Sequence, residues 1–129
     1  MQILTFLIGE EKFAIDIGLV ETIENKMPIT VVPKSKKYVT GLISSRGNVI
    51  PVINSETILN KKEQSDIFEK LIIVNIENDK FALAVNEIDD VMDIEPEDII
   101  KVNGEDNLPV IKVNSDIITV LTHDELKKI

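Results

Sequence analysis

Residues 3–8 read ILTFLI, an almost wholly apolar run, and residues 12–17 read KFAIDI, setting Phe13, Ile15 and Ile17 against Lys12, Ala14 and Asp16. Alternation with a period of two marks a strand with one buried face. Gly9-Glu10-Glu11 between the runs is a turn, so the two predict a β-hairpin. The chain then says nearly the same thing again. LIIVNI, a turn at Glu77-Asn78-Asp79 and KFALAV follow, with Phe81, Leu83 and Val85 inward, and KFALAV lies 68 positions after KFAIDI.

Carried forward, that offset of 68 keeps matching without a gap from residue 3 to residue 58. Val20 falls on Ile88 and Ile23 on Val91, each pair spaced as one helical turn or a twisted edge requires. Pro28 falls on Pro96, Ile43 on Ile111, Val49-Ile50 on Ile117-Ile118, Val52-Ile53 on Val120-Leu121, and Ile58 on Leu126. Alternating strands inflate such agreement, but the proline pair and the gapless run do not follow from alternation, so the chain reads as an internal duplication. Each half has about five short strands and a brief closing helix, ETILN (56–60) and DELKK (124–128), with Thr122 or Asp124 as N-cap of the second. One half buries too little surface to be stable alone. Two small β-barrels packed together solve that and remove exposed strand edges. The expected division is one domain over 1–129, with subdomains of about 1–60 and 68–129 and some strand exchange between them. The polar stretch NKKEQSDIFEK (60–70) serves as crossover.

Composition narrows the function. The chain has 129 residues, five aromatics and no cysteine, so its core rests on Ile, Val and Leu, without disulfides or thiolate metal sites. The opening apolar run is too short for a signal peptide core, and nothing approaches the roughly 18 apolar residues of a membrane span; a cytoplasmic protein is expected. A net charge of −9 opposes binding to a polyanion. The one compact basic cluster, Lys34, Lys36 and Lys37, reads as a solvated turn. The acidic stretch from Glu87 to Asp98 lacks the spacing and central glycine of a calcium loop. The single histidine, His123, has no partner for a zinc site, and there is no glycine-rich phosphate loop and no G-x-S-x-G elbow. No metal, cofactor or catalytic residue is expected; the chain reads as a binding protein.

The most informative stretch is VTGLISSRGNVIPVIN (39–54). A strand (Gly41 to Ser45) meets Arg46-Gly47-Asn48 and a second strand (Val49 to Ile53), with Gly47-Asn48 suited to a tight turn that needs positive φ. Arg46 is the only arginine in the chain. At a hairpin mouth it offers a rigid fork of donors that lysine cannot copy. This stretch resembles the G-[VL]-I-N-L-R-G-x-[VI]-I-P-V-[VI]-[DN] signature of the CheW family of chemotaxis coupling proteins. TFLIGEEKFAIDIGLVETIE (5–24), VVPKSKKYVTG (31–41) and KLIIVNIENDKFALAVNEIDDVMDI (70–94) are similar to other parts of that family's pattern, so the resemblance covers essentially the whole chain.

The resemblance implies a mainly β fold of two intertwined five-stranded Src-homology-3-like barrels with short helices and a groove between them. It implies a protein without catalysis or cofactor that bridges the cytoplasmic tips of chemoreceptors to the histidine kinase CheA, without inserting into the membrane or binding nucleic acid. Carried over position by position, the receptor-facing residues are Val20, Ile23, Gly41, Arg46 and Gly47; the kinase contact stays unassigned. A related reading is a CheW-like coupling module of another kinase pathway, such as twitching or gliding. This chain departs from the family pattern in having Ser44-Ser45 for Asn-Leu before the arginine, Lys36 for a proline, and Asn54 for the frequent aspartate. Thr22, Ser55-Glu56, Ala82 and Asn86 are further departures, and all of them bear on the choice of partner more than on the fold.

Overall fold

In the computed structural model, residues 1–33, 39–53, 68–101 and 108–127 are described. Ten strands follow in order: β1 (Gln2–Ile8), β2 (Glu11–Asp16), β3 (Val20–Asn25), β4 (Val39–Ser45), β5 (Asn48–Ile53), β6 (Lys70–Ile76), β7 (Asp79–Val85), β8 (Glu87–Asp93), β9 (Val110–Val113) and β10 (Asp116–Leu121). A short helix, α1 (His123–Lys127), closes the chain, and two 3₁₀ turns occupy Ile17–Leu19 and Pro96–Asp98. The Thr122 hydroxyl caps α1, accepting from the Glu125 amide at 3.3 Å. The closing helix expected at 56–60, most of the crossover and Lys34, Lys36 and Lys37 lie outside the described residues.

The strands form two five-stranded sheets with orders β8-β1-β2-β10-β9 and β3-β6-β7-β5-β4, here called the first and second barrels. Moving every strand of one barrel by five places gives the other. Each half of the sequence therefore keeps three strands together and lends its opening hairpin, β1–β2 or β6–β7, to the opposite barrel. The lent hairpin joins by parallel pairing, Phe13 to Thr119 in one barrel and Ala82 to Val52 in the other. Such non-local pairing ties the two halves of the chain to each other.

The lent hairpins explain the near-continuous apolar runs. A strand buried on both faces loses its alternation. Ile3 in β1 and Leu71 in β6 point into separate barrel interiors, with Ile94, Ile111, Ile118 and Val120 around the first and Ile43, Ile50, Val52 and Ile73 around the second. On the other face, Leu4, Phe6, Ile8, Ile72, Val74 and Ile76 join Phe13 and Phe81 in one core shared between the barrels. Phe13 and Phe81 occupy matching places: Phe13 lies opposite Phe6 in β1, and Phe81 opposite Val74 in β6.

The sheets also account for the spacing of Val20 and Ile23. Both β3 and β8 are edge strands with a register shift, where Glu21 and Asp89 are the extra residues. One bulged residue turns a separation of three positions into a same-face pair. Val20 pairs with Val74 and packs against the shared core, and Ile23 pairs with Ile72 on the same face but is exposed.

Gly41 has a packing reason. The Thr30 and Leu42 backbones bridge above it at 2.8 and 2.9 Å, and an added Cβ would stand 2.6 Å from Ile29 Cγ2 and closer still to the Thr30 carbonyl oxygen. Gly41→Ala is therefore expected to destabilise the protein by about 1–3 kcal/mol, as overpacking does. Equilibrium denaturation measures this; an unchanged midpoint would show that the crossing segment yields freely.

Candidate functional site

The β4–β5 hairpin turns at Arg46 and Gly47, with φ of 52° and 81°, and Ser45 pairs with Asn48. The sequence pattern alone predicts the turn one residue later, at Gly47-Asn48. Both central positions of such a turn need positive φ, and Arg46 takes the first while Gly47 takes the second. At the matching turn of the first barrel the corresponding position is Asn114, φ 56°, a residue that tolerates the left-handed region. An arginine there costs about 1–2 kcal/mol more than glycine, so Arg46 is not placed for turn stability.

Arg46 is 74% exposed at its side chain, with Nε 3.5 Å from Glu24 Oε1. The Ser45 hydroxyl, nearly buried, donates to the same oxygen at 3.4 Å. Beside them the bulge in β3 re-aims Glu21, whose Oε1 meets Lys80 Nζ at 3.1 Å and accepts from Asn75 Nδ2 at 3.3 Å. Glu21, Thr22, Ser45, Arg46, Asn48, Ile50 and Lys80 line an open cavity of ≈ 230 Å³ at this mouth of the second barrel.

The five residues expected to face a partner do not form one cluster. Arg46 and Gly47 sit at the mouth. Val20 and Ile23 lie on the opposite face of β3, beside the shared core, with Ile23 40% exposed. Gly41 is buried beneath the Thr30 crossing. Glu21, Glu24 and Lys80 were missed from sequence, although a signal existed: Lys80 lies 68 positions after Lys12, and Asp89 lies the same distance after Glu21. In the first barrel Lys12 Nζ meets Asp116 at 3.1 Å and Asp89 at 3.7 Å. The hydrogen bond that Lys12 donates to Asp116, followed by the charges of Asp116 and Asp89, raises the Lys12 pKa above its ordinary value. Among the described residues, no group of three or more His, Cys, Asp or Glu is arranged to hold a metal ion, and no helix is long and apolar enough to cross a membrane.

Comparison with known proteins places this architecture. The family model for the CheW-like domain matches residues 2–127, and the chain belongs to that family. A chemotaxis protein CheW from Thermotoga maritima is 31% identical over 67% of this chain, and one from Helicobacter pylori is 28% identical over 99% of this chain and 82% of its own length. The chain spans 58% of the length of the Thermotoga maritima relative and 61% of that from Treponema pallidum. The crystal structure of the scaffolding protein TtCheW from Thermoanaerobacter tengcongensis superimposes with a TM-score of 0.81 at 25% identity, covering 92% of this chain and 86% of that one.

The hydrogen bond from Lys80, then that from Asn75, holds the Glu21 carboxyl below its ordinary value of 4.5; partial desolvation opposes this, and the charges of Lys80 and Arg46 add to it. A depressed carboxyl stabilises the fold above its unfolded pKa and loses that contribution as pH falls through its folded value. A carbon-detected NMR titration is expected to give Glu21 a midpoint below 4.5, moving upward in Lys80→Met and less so in Arg46→Ala. No movement in Lys80→Met would mean the pair does not persist in solution.

Proposed function

We propose that this chain is a non-catalytic chemotaxis coupling protein that bridges the cytoplasmic tips of chemoreceptors to the histidine kinase CheA. On this reading it works in the cytoplasm and is recruited to receptor arrays at the membrane. Family membership and the likeness to a scaffolding protein support the class. The observation that carries the reading is Arg46, the chain's only arginine, held exposed in a conformation that its counterpart fills with asparagine. A residue in an unfavourable backbone region persists where function requires it.

The mechanism is scaffolding. A receptor tip is helical, so its apolar face lies against the margin of the shared core in the helix-in-groove mode. Val20 and half-exposed Ile23 supply that margin. From the mouth on the other face of β3, Arg46 orients the receptor tip through a charge-assisted bond to an acidic or carbonyl group, exchanging its contact with Glu24 for one to the partner. That group belongs to a part of the tip that reaches past this edge strand. Gly47 lets the partner backbone approach the turn, and Gly41 acts through packing, holding the hairpin in place. Another surface packs against the kinase's own regulatory barrel.

Two variants test this. Arg46→Ala is expected to fold normally and to lose recruitment to receptor arrays several-fold, as for a charge-assisted bond at a partly exposed rim. Arg46→Asn is expected to be at least as stable as the natural protein, since asparagine suits the turn, and equally defective in recruitment. Co-sedimentation with receptor membranes and CheA reads both. Variants that co-sediment as well as the natural protein would contradict the assignment.

A further inference from the structure

The two barrels carry the same three-residue device at matching places, and the two copies are not equal. In the first barrel Lys12 lies between two carboxylates, Asp89 and Asp116. In the second, Lys80 meets Glu21, and Asn48 stands where the first barrel has Asp116. Arg46 and Glu24 stand where the first barrel has Asn114 and Met92. The second mouth thus holds two cations, Lys80 and Arg46, and two anions, Glu21 and Glu24, with no net charge. The first holds one cation and two anions at the matching positions.

Resting on the coupling reading above, we infer that the cavity between Ser45, Asn48 and Lys80 is a subsite for one uncharged amide side chain, an asparagine or glutamine, projecting from the receptor tip. At ≈ 230 Å³ it is smaller than the roughly 300–1,000 Å³ of small-molecule sites, the scale of a side chain with room for water. The carboxylates of Glu21 and Glu24 have more acceptor sites than their contacts with Lys80, Asn75, Arg46 and Ser45 use. Lys80 and Arg46 have more N–H donors than these contacts use. A guest must therefore accept and donate at once. A carboxylate satisfies the cations but faces both glutamates, and an ammonium faces the reverse; an amide offers its carbonyl to Lys80 or Arg46 and its NH₂ to the carboxylates. Ile50, buried on the barrel side, gives the guest's methylenes an apolar floor.

Ser45 is the specificity-determining position. The resembling family signature has leucine there, and a leucine grown from this nearly buried position would occupy the cavity. The serine hydroxyl leaves it open and steadies Glu24.

The full-length chain, ¹⁵N-labelled, is titrated with propionamide and with propionate, alone and as the variants Asn48→Asp and Ser45→Leu. Propionamide is expected to give saturable shifts at the Thr22, Ser45 and Asn48 amides, and propionate none. Asn48→Asp, a mild change at an exposed turn, is expected to abolish the shifts by clamping Lys80 as Asp116 clamps Lys12. Both variants are expected to bind a receptor tip fragment about tenfold more weakly than the natural chain. Saturable binding of propionate at these amides, or no response to propionamide, overturns the subsite. If the tip binds both variants as well as the natural chain, the subsite is not used in docking, while the coupling reading stands. If propionamide seats as expected but no receptor tip binds the natural chain, the coupling reading fails and the amide-binding cavity stands without it.

Discussion

The structure depends on one apolar layer. Leu4, Phe6, Ile8, Phe13 and Ile15 from one lent hairpin meet Ile72, Val74, Ile76, Phe81, Leu83 and Val85 from the other, with Ile53, Leu121 and Leu126 closing the ends. Neither barrel can present this layer to water at acceptable cost, since each fully buried aliphatic or aromatic side chain contributes about 1.5–3 kcal/mol. Hairpin exchange follows from it. A hairpin that is apolar on both faces needs one barrel interior on one side and the neighbouring barrel on the other. That need brings the two lent hairpins together in one core and leaves the polar strands β3 and β8 at the sheet edges.

Duplication supplies the layer twice and leaves the margins free to diverge. Where packing governs, the copies remain alike: Ile43 and Ile111, Ile50 and Ile118, and Val52 and Val120 are all buried in equivalent positions. At the barrel mouths, where most of the residues are exposed, they differ. The first mouth is an ion triad around Lys12. The second carries Arg46 in a turn conformation suited to asparagine, a serine and an asparagine around an open cavity, and a balanced set of charges. A paired fold thereby offers two unlike surfaces from one repeated plan.

Much of the fold was legible in the sequence because strand alternation and a fixed offset are local signals. The hairpins, the inward phenylalanines and the equivalence of the halves all follow from them. The pairing of β2 with β10 and β5 with β7 did not, because parallel contacts between distant strands leave no mark in local spacing. Gly47 advertises a positive φ without saying whether it stands first or second in the turn, so the turn was placed one residue late. The site was legible only in part. Arg46 stood out by being unique, but Glu21 looked like any exposed acid on an edge strand. Only the bulge, which displaces it from the alternation, turns it toward Lys80. Gly41 was read as part of a contact surface, and the Thr30 crossing that explains it is not visible without the fold.

The central claim is that the exchanged hairpins and their common apolar layer make both barrels one folding unit. Native-state hydrogen exchange tests it directly. Amides in the middle of β1, β2, β6 and β7 are expected to exchange only through global unfolding, all with the same free energy in both barrels. Protection that is lost in one barrel at a distinctly lower free energy while the other stays closed would contradict the account.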